Sequence, residues 1–210
     1  YSVESAAPNR LGFDLERVEG IAAVDCLAFD KTGTLTEGRP ELADRATFDG
    51  WHPADVLRLA AAAEQSSEHP LARLLAAEAH RAGMALPPAE EFRAQPGAGV
   101  EARVEGRALL VGNLRLIRER GLPVTPDAER AVEALDASGQ TALLVAVDGR
   151  IVGVLGARDR VRPEAHDVLH ELEHLGLTDL TILTGDRTAV ARALAEAVHV
   201  GQFEAERTPA

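Results

Sequence analysis

Two short apolar runs, one near each end of the chain, both stop at a loop rich in Thr, Gly and Asp. Ala22–Phe29 (AAVDCLAF) runs into Asp30-Lys31-Thr32-Gly33-Thr34-Leu35-Thr36, and Leu177–Leu183 runs into Thr184-Gly185-Asp186. A short, mostly apolar run that stops at such a loop reads as a strand, and the first of them as a buried one. Open α/β sheets bind ligands at the carboxyl ends of their parallel strands. Both runs are therefore expected in one parallel sheet, although most of the chain lies between them.

That intervening chain has its own texture. Pro53–Glu64 and Pro70–Ala82 are Ala/Leu-rich at helical spacing, each with a Pro in its first turn, where a missing N–H costs little. Pro87-Pro88 and Pro96-Gly97-Ala98-Gly99 read as loops. Val100–Glu105 and Ala108–Val111 read as one hairpin, Thr141–Val147 and Ile151–Leu155 as another, with helices over Leu114–Arg120 and Asp127–Ala137 between them. Beyond Arg158–Pro163, Glu164–Leu175 and Thr188–Val198 read as helices flanking the second apolar run. The simplest architecture is a parallel α/β domain (21–40 and 156–210), interrupted after its first strand by an inserted α+β domain (41–155). Residues 1–20 read as a tail. The crossings, at Gly38–Pro40 and near Arg158, are short and make an expected hinge.

Composition narrows the function. The 210 residues carry a formal charge of −12, which argues against nucleic acid or anionic lipid as partner. One cysteine, Cys26, excludes a disulfide framework or a Cys-rich zinc module; it reads as a small buried strand residue. No apolar run approaches the length of a membrane span, and the first residues show no signal-peptide pattern.

The first loop carries the chemistry. A carboxylate at a strand end, here Asp30, can attack a phosphoryl group and form an acyl phosphate. Thr32, Gly33 and Thr34 offer hydroxyls and close backbone N–H groups to phosphate oxygens. Lys31 and a divalent cation would offset the phosphoryl charge. The bland reading is a strand-end Asp turning with Gly33.

Those seven residues resemble the phosphorylation signature of the P-type ATPases, which have the haloacid-dehalogenase-like fold. The resemblance implies that Asp30 is the nucleophile, with Mg²⁺ held by Asp30 and the Thr32 carbonyl. Soluble phosphatases of that fold usually carry a second Asp two positions after the nucleophile. Thr32 stands there instead, so a long-lived phosphoenzyme is expected.

Ser67-Glu68-His69-Pro70-Leu71, with Glu64 upstream, sits at a helix entry. Its bland reading is capping by Ser66 or Ser67, with Glu68 favouring the helix dipole. The segment also resembles the nucleotide-domain motif of the heavy-metal-transporting subgroup, type IB. Gly97-Ala98-Gly99 and Val111-Gly112-Asn113 resemble the glycine turn and Gly-Asn that follow it there. The resemblance implies ATP binding by Glu64, Glu68, His69, Gly97, Gly99, Gly112 and Asn113.

In the returning half, Asp159-Arg160-Val161-Arg162-Pro163 and Thr184-Gly185-Asp186 resemble two further segments of the family. Thr184 and Gly185 would then contact phosphoryl oxygens and Asp186 would orient the site; Asp186 also reads simply as a helix cap. The family's Pro-x-x-Lys and Gly-Asp-Gly-x-Asn-Asp motifs do not occur, so a catalytically incomplete, monomeric fragment is expected. Its parent would be a metal-exporting pump with membrane and actuator domains, this portion lying in the cytoplasm. The Leu183–Arg187 segment leans toward zinc, cadmium or cobalt as cargo. Two other readings stay open: a nucleotide-binding module without turnover, and a soluble phosphatase with an inserted cap. His166, His170 and His174 form a stripe beside an expected Val168/Leu172/Leu175 face, read as solvated or as metal-binding.

Overall fold

The computed structural model describes residue 24 and residues 26–206. The tail at 1–20 and part of the first apolar run lie outside them. In chain order the elements are β1 (Cys26–Asp30), β2 (Thr36–Thr47), α1 (Pro53–Ala63), α2 (Pro70–Arg81), β3 (Ala89–Gln95), β4 (Gly99–Val104) and β5 (Arg107–Gly112). Then come α3 (Leu114–Glu119), α4 (Pro126–Ala137), β6 (Thr141–Val147), β7 (Arg150–Val161), α5 (Ala165–His174), β8 (Asp179–Leu183), α6 (Thr188–Ala197) and β9 (Gln202–Glu204).

The two apolar runs do pair. β1 lies parallel to β8, Asp30 opposite Leu183, and β9 follows in the order β1-β8-β9. α5 and α6 cover this small sheet through Leu169, Leu194, Ala195 and Val198, packed with Leu180 and Ile182.

The second sheet is antiparallel, in the order β2-β7-β6-β5-β4-β3. Its alternating residues serve two cores. Val100, Val111, Val145 and Val152 meet α1 and α2 on one face. Leu110, Leu144, Ala146 and Val154 meet α3 and α4 on the other. Helices on both faces explain why β6, although antiparallel, is apolar at nearly every position.

β7 is longer than the sequence suggested, and β2 was not expected as a strand. They pair through the expected crossings, Pro40 opposite Asp159 and Leu42 opposite Ala157. The connection is thus one two-stranded ribbon, and the expected loop ends at Thr36. β2 was hidden because it is an edge strand carrying Gly38 and Pro40, with register shifts beside each end of that stretch. β3 and β9 were missed as well. β3 is a bulged edge strand of mostly exposed residues, and β9 has only three.

Three local expectations are corrected. Cys26 is exposed, because β1 is the outer strand of its sheet. Neither Ser66 nor Ser67 caps α2; His69 Nδ1 accepts from Leu71 N–H at 3.2 Å, as His52 does for α1. On α5 the buried residues are Ala165 and Leu169, while Val168 and Leu175 are exposed.

Two glycines have a packing reason. A Cβ on Gly99 would stand 2.2 Å from the Val111 carbonyl oxygen, and one on Gly112 2.5 Å from that of Ala98. Backbone cannot move aside as a flexible side chain can. Gly112→Ala is therefore expected to cost about 1–3 kcal/mol of stability, read from urea unfolding. An unchanged midpoint would refute this account of the Gly99/Gly112 contact.

Candidate functional site

Asp30 is the last residue of β1, and the chain turns immediately. Gly33 has φ 81°, a conformation that glycine adopts without strain. Thr32, Gly33 and Thr34 are exposed, as is Asp30. Among the described residues no group bonds the Asp30 carboxylate, so its oxygens are open to a reactant.

The loop is held from below by residues that arrive with β7. Thr36 is buried, and its Oγ1 lies 2.6 Å from Asp159 Oδ2 and 3.0 Å from the Lys31 carbonyl. The hydroxyl has one proton, and the shorter contact, to a carboxylate, takes it. Asp159 Oδ1 accepts from Arg39 N–H at 3.0 Å. Arg162 donates through Nε to the Thr34 carbonyl (2.9 Å) and through Nη2 to that of Gly33 (3.2 Å). The sequence had marked the Asp159–Pro163 segment without giving it a task. Its task is to fix the backbone of the loop that follows Asp30.

The second loop stands beside the first because β8 stands beside β1. Lys31 and Asp186 form an ion pair between the two loops, both side chains largely buried. Asp186 Oδ2 also accepts from Thr184 Oγ1 (3.1 Å), and Asp186 N–H donates back to that hydroxyl (3.1 Å). Asp186 is therefore no helix cap. Arg187 precedes α6 instead, without a capping side-chain bond. The arrangement puts Asp30, Lys31, Thr184, Gly185 and Asp186 on two adjoining loops at the carboxyl edge of a parallel sheet.

The second loop also reaches the other sheet. Thr141 Oγ1 donates to Asp186 Oδ1 at 3.2 Å, and Arg187 pairs with Asp136 at the end of α4. Asp136 is 2% exposed, its Oδ1 has no partner, and burial raises its carboxyl above the ordinary range despite Arg187. Neither Thr141 nor Asp136 was legible as a site residue, since each bond joins elements far apart in sequence.

The other sequence-marked residues lie on the larger sheet. Gly97 (φ 67°) follows Pro96 in a turn closed by Ala98 N–H to the Gln95 carbonyl at 3.0 Å. Asn113 ties this turn to α3. Its Nδ2 donates to the Gly97 carbonyl (3.0 Å), and its Oδ1 accepts from Leu116 N–H (3.0 Å). Gly97, Gly99, Gly112 and Asn113 thus form one corner. Glu64 closes α1, is 5% exposed, and has an unpartnered Oε2. His69 and Glu68 are exposed at the start of α2. With Nδ1 occupied as the helix cap, the neutral His69 ring carries its proton on Nε2, pointing a donor outward.

Residues 24–208 match the haloacid dehalogenase-like hydrolase family. The chain belongs to that family. This haloacid dehalogenase-like chain is 38% identical over 193 residues to the manganese-exporting P-type ATPase of Mycobacterium tuberculosis (strain H37Rv), covering 91% of itself and 27% of that protein. It is 41% identical over 196 residues to the probable copper-exporting P-type ATPase V of the same strain, covering 92% and 25%. Among solved structures it resembles a zinc-transporting PIB-type ATPase in an E2.Pi state, at TM-score 0.64 and 36% identity, covering 88% of this chain and 29% of that one. The chain thus spans about a quarter of the length of the curated relatives it matches. Among its described residues no helix is long and apolar enough to cross a membrane.

Two measurements follow from the buried carboxylates. Arg187→Ala would leave Asp136 buried and unpaired. The expected loss is about 1–3 kcal/mol in urea unfolding, below that of a fully buried pair because Arg187 is half exposed. Adding Asp136→Ala should recover part of it, and a double variant as unstable as the sum of both singles would refute the pairing. Burial pushes the Glu64 carboxyl above its ordinary 4.5, and a hydrogen bond from Ser67 offsets only part of that. The folded chain then keeps a proton that the unfolded chain releases. Stability is fully present below 4.5 and falls as pH rises through the raised folded value. Glu64→Gln should flatten that fall, seen as a smaller drop in urea midpoint from weakly acidic to neutral pH than in the parent chain.

Proposed function

We propose that this chain is the ATP-binding and aspartyl-phosphorylation region of a heavy-metal-exporting P-type ATPase. The carrying observation is the open Asp30 carboxylate, set beside Thr184-Gly185 with Lys31 tied across to Asp186. In the proposed reaction an Asp30 oxygen attacks the γ-phosphorus of ATP. The bond from that phosphorus to the β,γ-bridging oxygen breaks, ADP leaves with the electron pair, and Asp30 becomes an aspartyl phosphate. No proton needs to leave the nucleophile, because a carboxylate attacks directly. Lys31, Thr34, Thr184 and Gly185 hold the phosphoryl oxygens, and Asp186 keeps Lys31 in place. Catalysis of this kind is positioning plus charge stabilisation. Thr32 offers no acid or base to the phosphoenzyme, which favours its persistence over its hydrolysis.

Mg²⁺ suits the donors present, since an unpartnered carboxylate and a neighbouring carbonyl are the hard oxygen ligands it prefers. Asp30 and the Thr32 carbonyl would hold it, and it would supply neutralisation of the transferring phosphoryl charge.

Residues 41–155 are proposed as the nucleotide-binding unit and residues 21–40 and 156–210 as the phosphorylation unit. Support for a nucleotide near Glu64 comes from its orphaned Oε2. A buried acceptor without a partner is costly, and a base amino group would relieve it. His69 Nε2–H, Glu68 and the corner of Gly97, Gly99, Gly112 and Asn113 complete the proposed site. The cargo is a transition metal bound outside this segment. The relatives' names span manganese, copper and zinc, so none of them selects an ion.

The test is a graft. Residues 26–206 replace the matching segment of the Mycobacterium tuberculosis manganese-exporting P-type ATPase. The hybrid is expected to take label from γ-labelled ATP with Mg²⁺, and Asp30→Asn to abolish it. Label surviving Asp30→Asn would overturn the assignment. On the 210-residue chain, calorimetry should show ATP binding that His69→Gln weakens while the circular dichroism spectrum is unchanged. Equal affinity in both would remove His69 from the site.

A further inference from the structure

A second group of chemically capable side chains lies away from both loops, on α5 and just past α6. His166, His170 and His174 follow one another along α5, and His199 sits beyond the end of α6. His166 Nδ1 is 3.2 Å from Asp167 Oδ1, and His166 Nε2 is 3.1 Å from His199 Nδ1. The His166 and His199 rings meet edge-on, their centroids 4.7 Å apart at 81°.

An ionised carboxylate only accepts, so His166 carries its proton on Nδ1 and presents a lone pair at Nε2. That lone pair faces His199. A carboxylate behind an imidazole, with the other nitrogen left open, is how histidines are oriented and made more basic toward transition metals. The backbone gives a separate indication. His199 has φ 58°, in the left-handed region, directly after the α6 cap where Val200 N–H returns to the Ala195 carbonyl at 2.9 Å. Glycine usually fills that position. His is one of the few other side chains that tolerates it, so the helix end fixes where the His199 ring stands.

We propose that His166 Nε2 and His199 Nδ1 chelate a divalent transition cation of the zinc class, with Asp167 as positioning residue. Two nitrogens on one tetrahedral zinc stand about 3.3–3.4 Å apart, given zinc–nitrogen bonds of about 2.0–2.1 Å. The observed 3.1 Å is close to that, so chelation replaces the hydrogen bond between the rings by a small parting and a turn of both toward a common point. His199 then keeps its proton on Nε2, a tautomer its exposed ring reaches through solvent. Among the described residues no three His, Cys, Asp or Glu groups gather at one point. Water therefore fills the remaining positions, and the ion is exchangeable. Imidazole favours zinc, copper and nickel over magnesium, so the site is distinct in chemistry from an oxygen-lined Mg²⁺ site. Binding would join α5 to the end of α6, the two helices that cover the sheet bearing Asp30 and Thr184.

His170 and His174 form the competing chelate, with rings 4.4 Å apart at 83°. That pair joins nothing beyond its own helix.

The 210-residue chain is titrated with zinc chloride in excess Mg²⁺, by calorimetry and by nitrogen NMR of the imidazoles. One zinc per chain is expected, with a higher melting temperature and with shifts at His166 Nε2 and His199 Nδ1. His166→Ala and His199→Asn should each weaken binding at least about tenfold, and Asp167→Asn by about tenfold. Asn tolerates the left-handed conformation, which keeps the His199 variant folded. The double variant His170→Ala/His174→Ala should bind as the parent does. Undiminished affinity in His166→Ala or His199→Asn, loss in the double variant, or no binding at millimolar zinc would each overturn the proposal. The NMR shifts need no variant, so a substitution that unfolds the chain leaves the test intact.

Discussion

The parallel pairing of β1 with β8 is the constraint on which the rest depends. It sets Asp30 opposite Leu183, so the loops that follow each strand leave the same edge of one sheet side by side. The Lys31–Asp186 ion pair of the candidate phosphoryl site follows from that placement. The chain between the two strands must then depart from this edge and come back to it. It does so as an antiparallel ribbon of β2 and β7, and the returning strand delivers Asp159 and Arg162 beneath the Asp30 loop.

Charge is distributed so that the group proposed to react stands apart from the supporting ones. The Asp30 carboxylate is exposed and unpartnered, whereas Asp159 and Asp186 are spent on hydrogen bonds and an ion pair. Asp186 is shared: one oxygen faces Lys31 and the other accepts from Thr141 on β6. With the Asp136–Arg187 pair beside it, this makes a polar bridge between the two sheets in addition to the ribbon. Two bodies moving about a hinge at the crossings would have to part these bonds.

The sequence was most legible where burial is complete. The helices of the larger unit and the strands β4, β5 and β6 fell within a residue or two of their expected ends, because apolar period and proline or glycine punctuation agree there. It was least legible at sheet edges. β2, β3 and β9 are outer strands, partly solvated and in two cases bulged, so they lack the pattern that marks a strand. Cys26 was misplaced for the same reason, since an outer strand exposes a small residue that a central strand would bury. Capping failed differently. A histidine before a proline can offer Nδ1 to a backbone N–H two residues on; His52 does so, and His69 does so in place of the expected serines.

By itself the sequence marked the residues that are proposed to react. The segment Asp30–Thr36 at the end of one strand, and Thr184-Gly185-Asp186 at the end of another, restrict the chemistry because few side chains accept a phosphoryl group and few backbones cradle one. Local pattern carries that information whole. Only the tertiary structure decided what holds those residues in place. Thr36 with Asp159, Arg162 with the Gly33 and Thr34 carbonyls, Thr141 with Asp186 and Asp136 with Arg187 each join positions separated by tens of residues or more. No local preference encodes such a bond. It exists because strand pairing and two-sided helix packing bring the partners together, and because a buried polar group that finds no partner is costly.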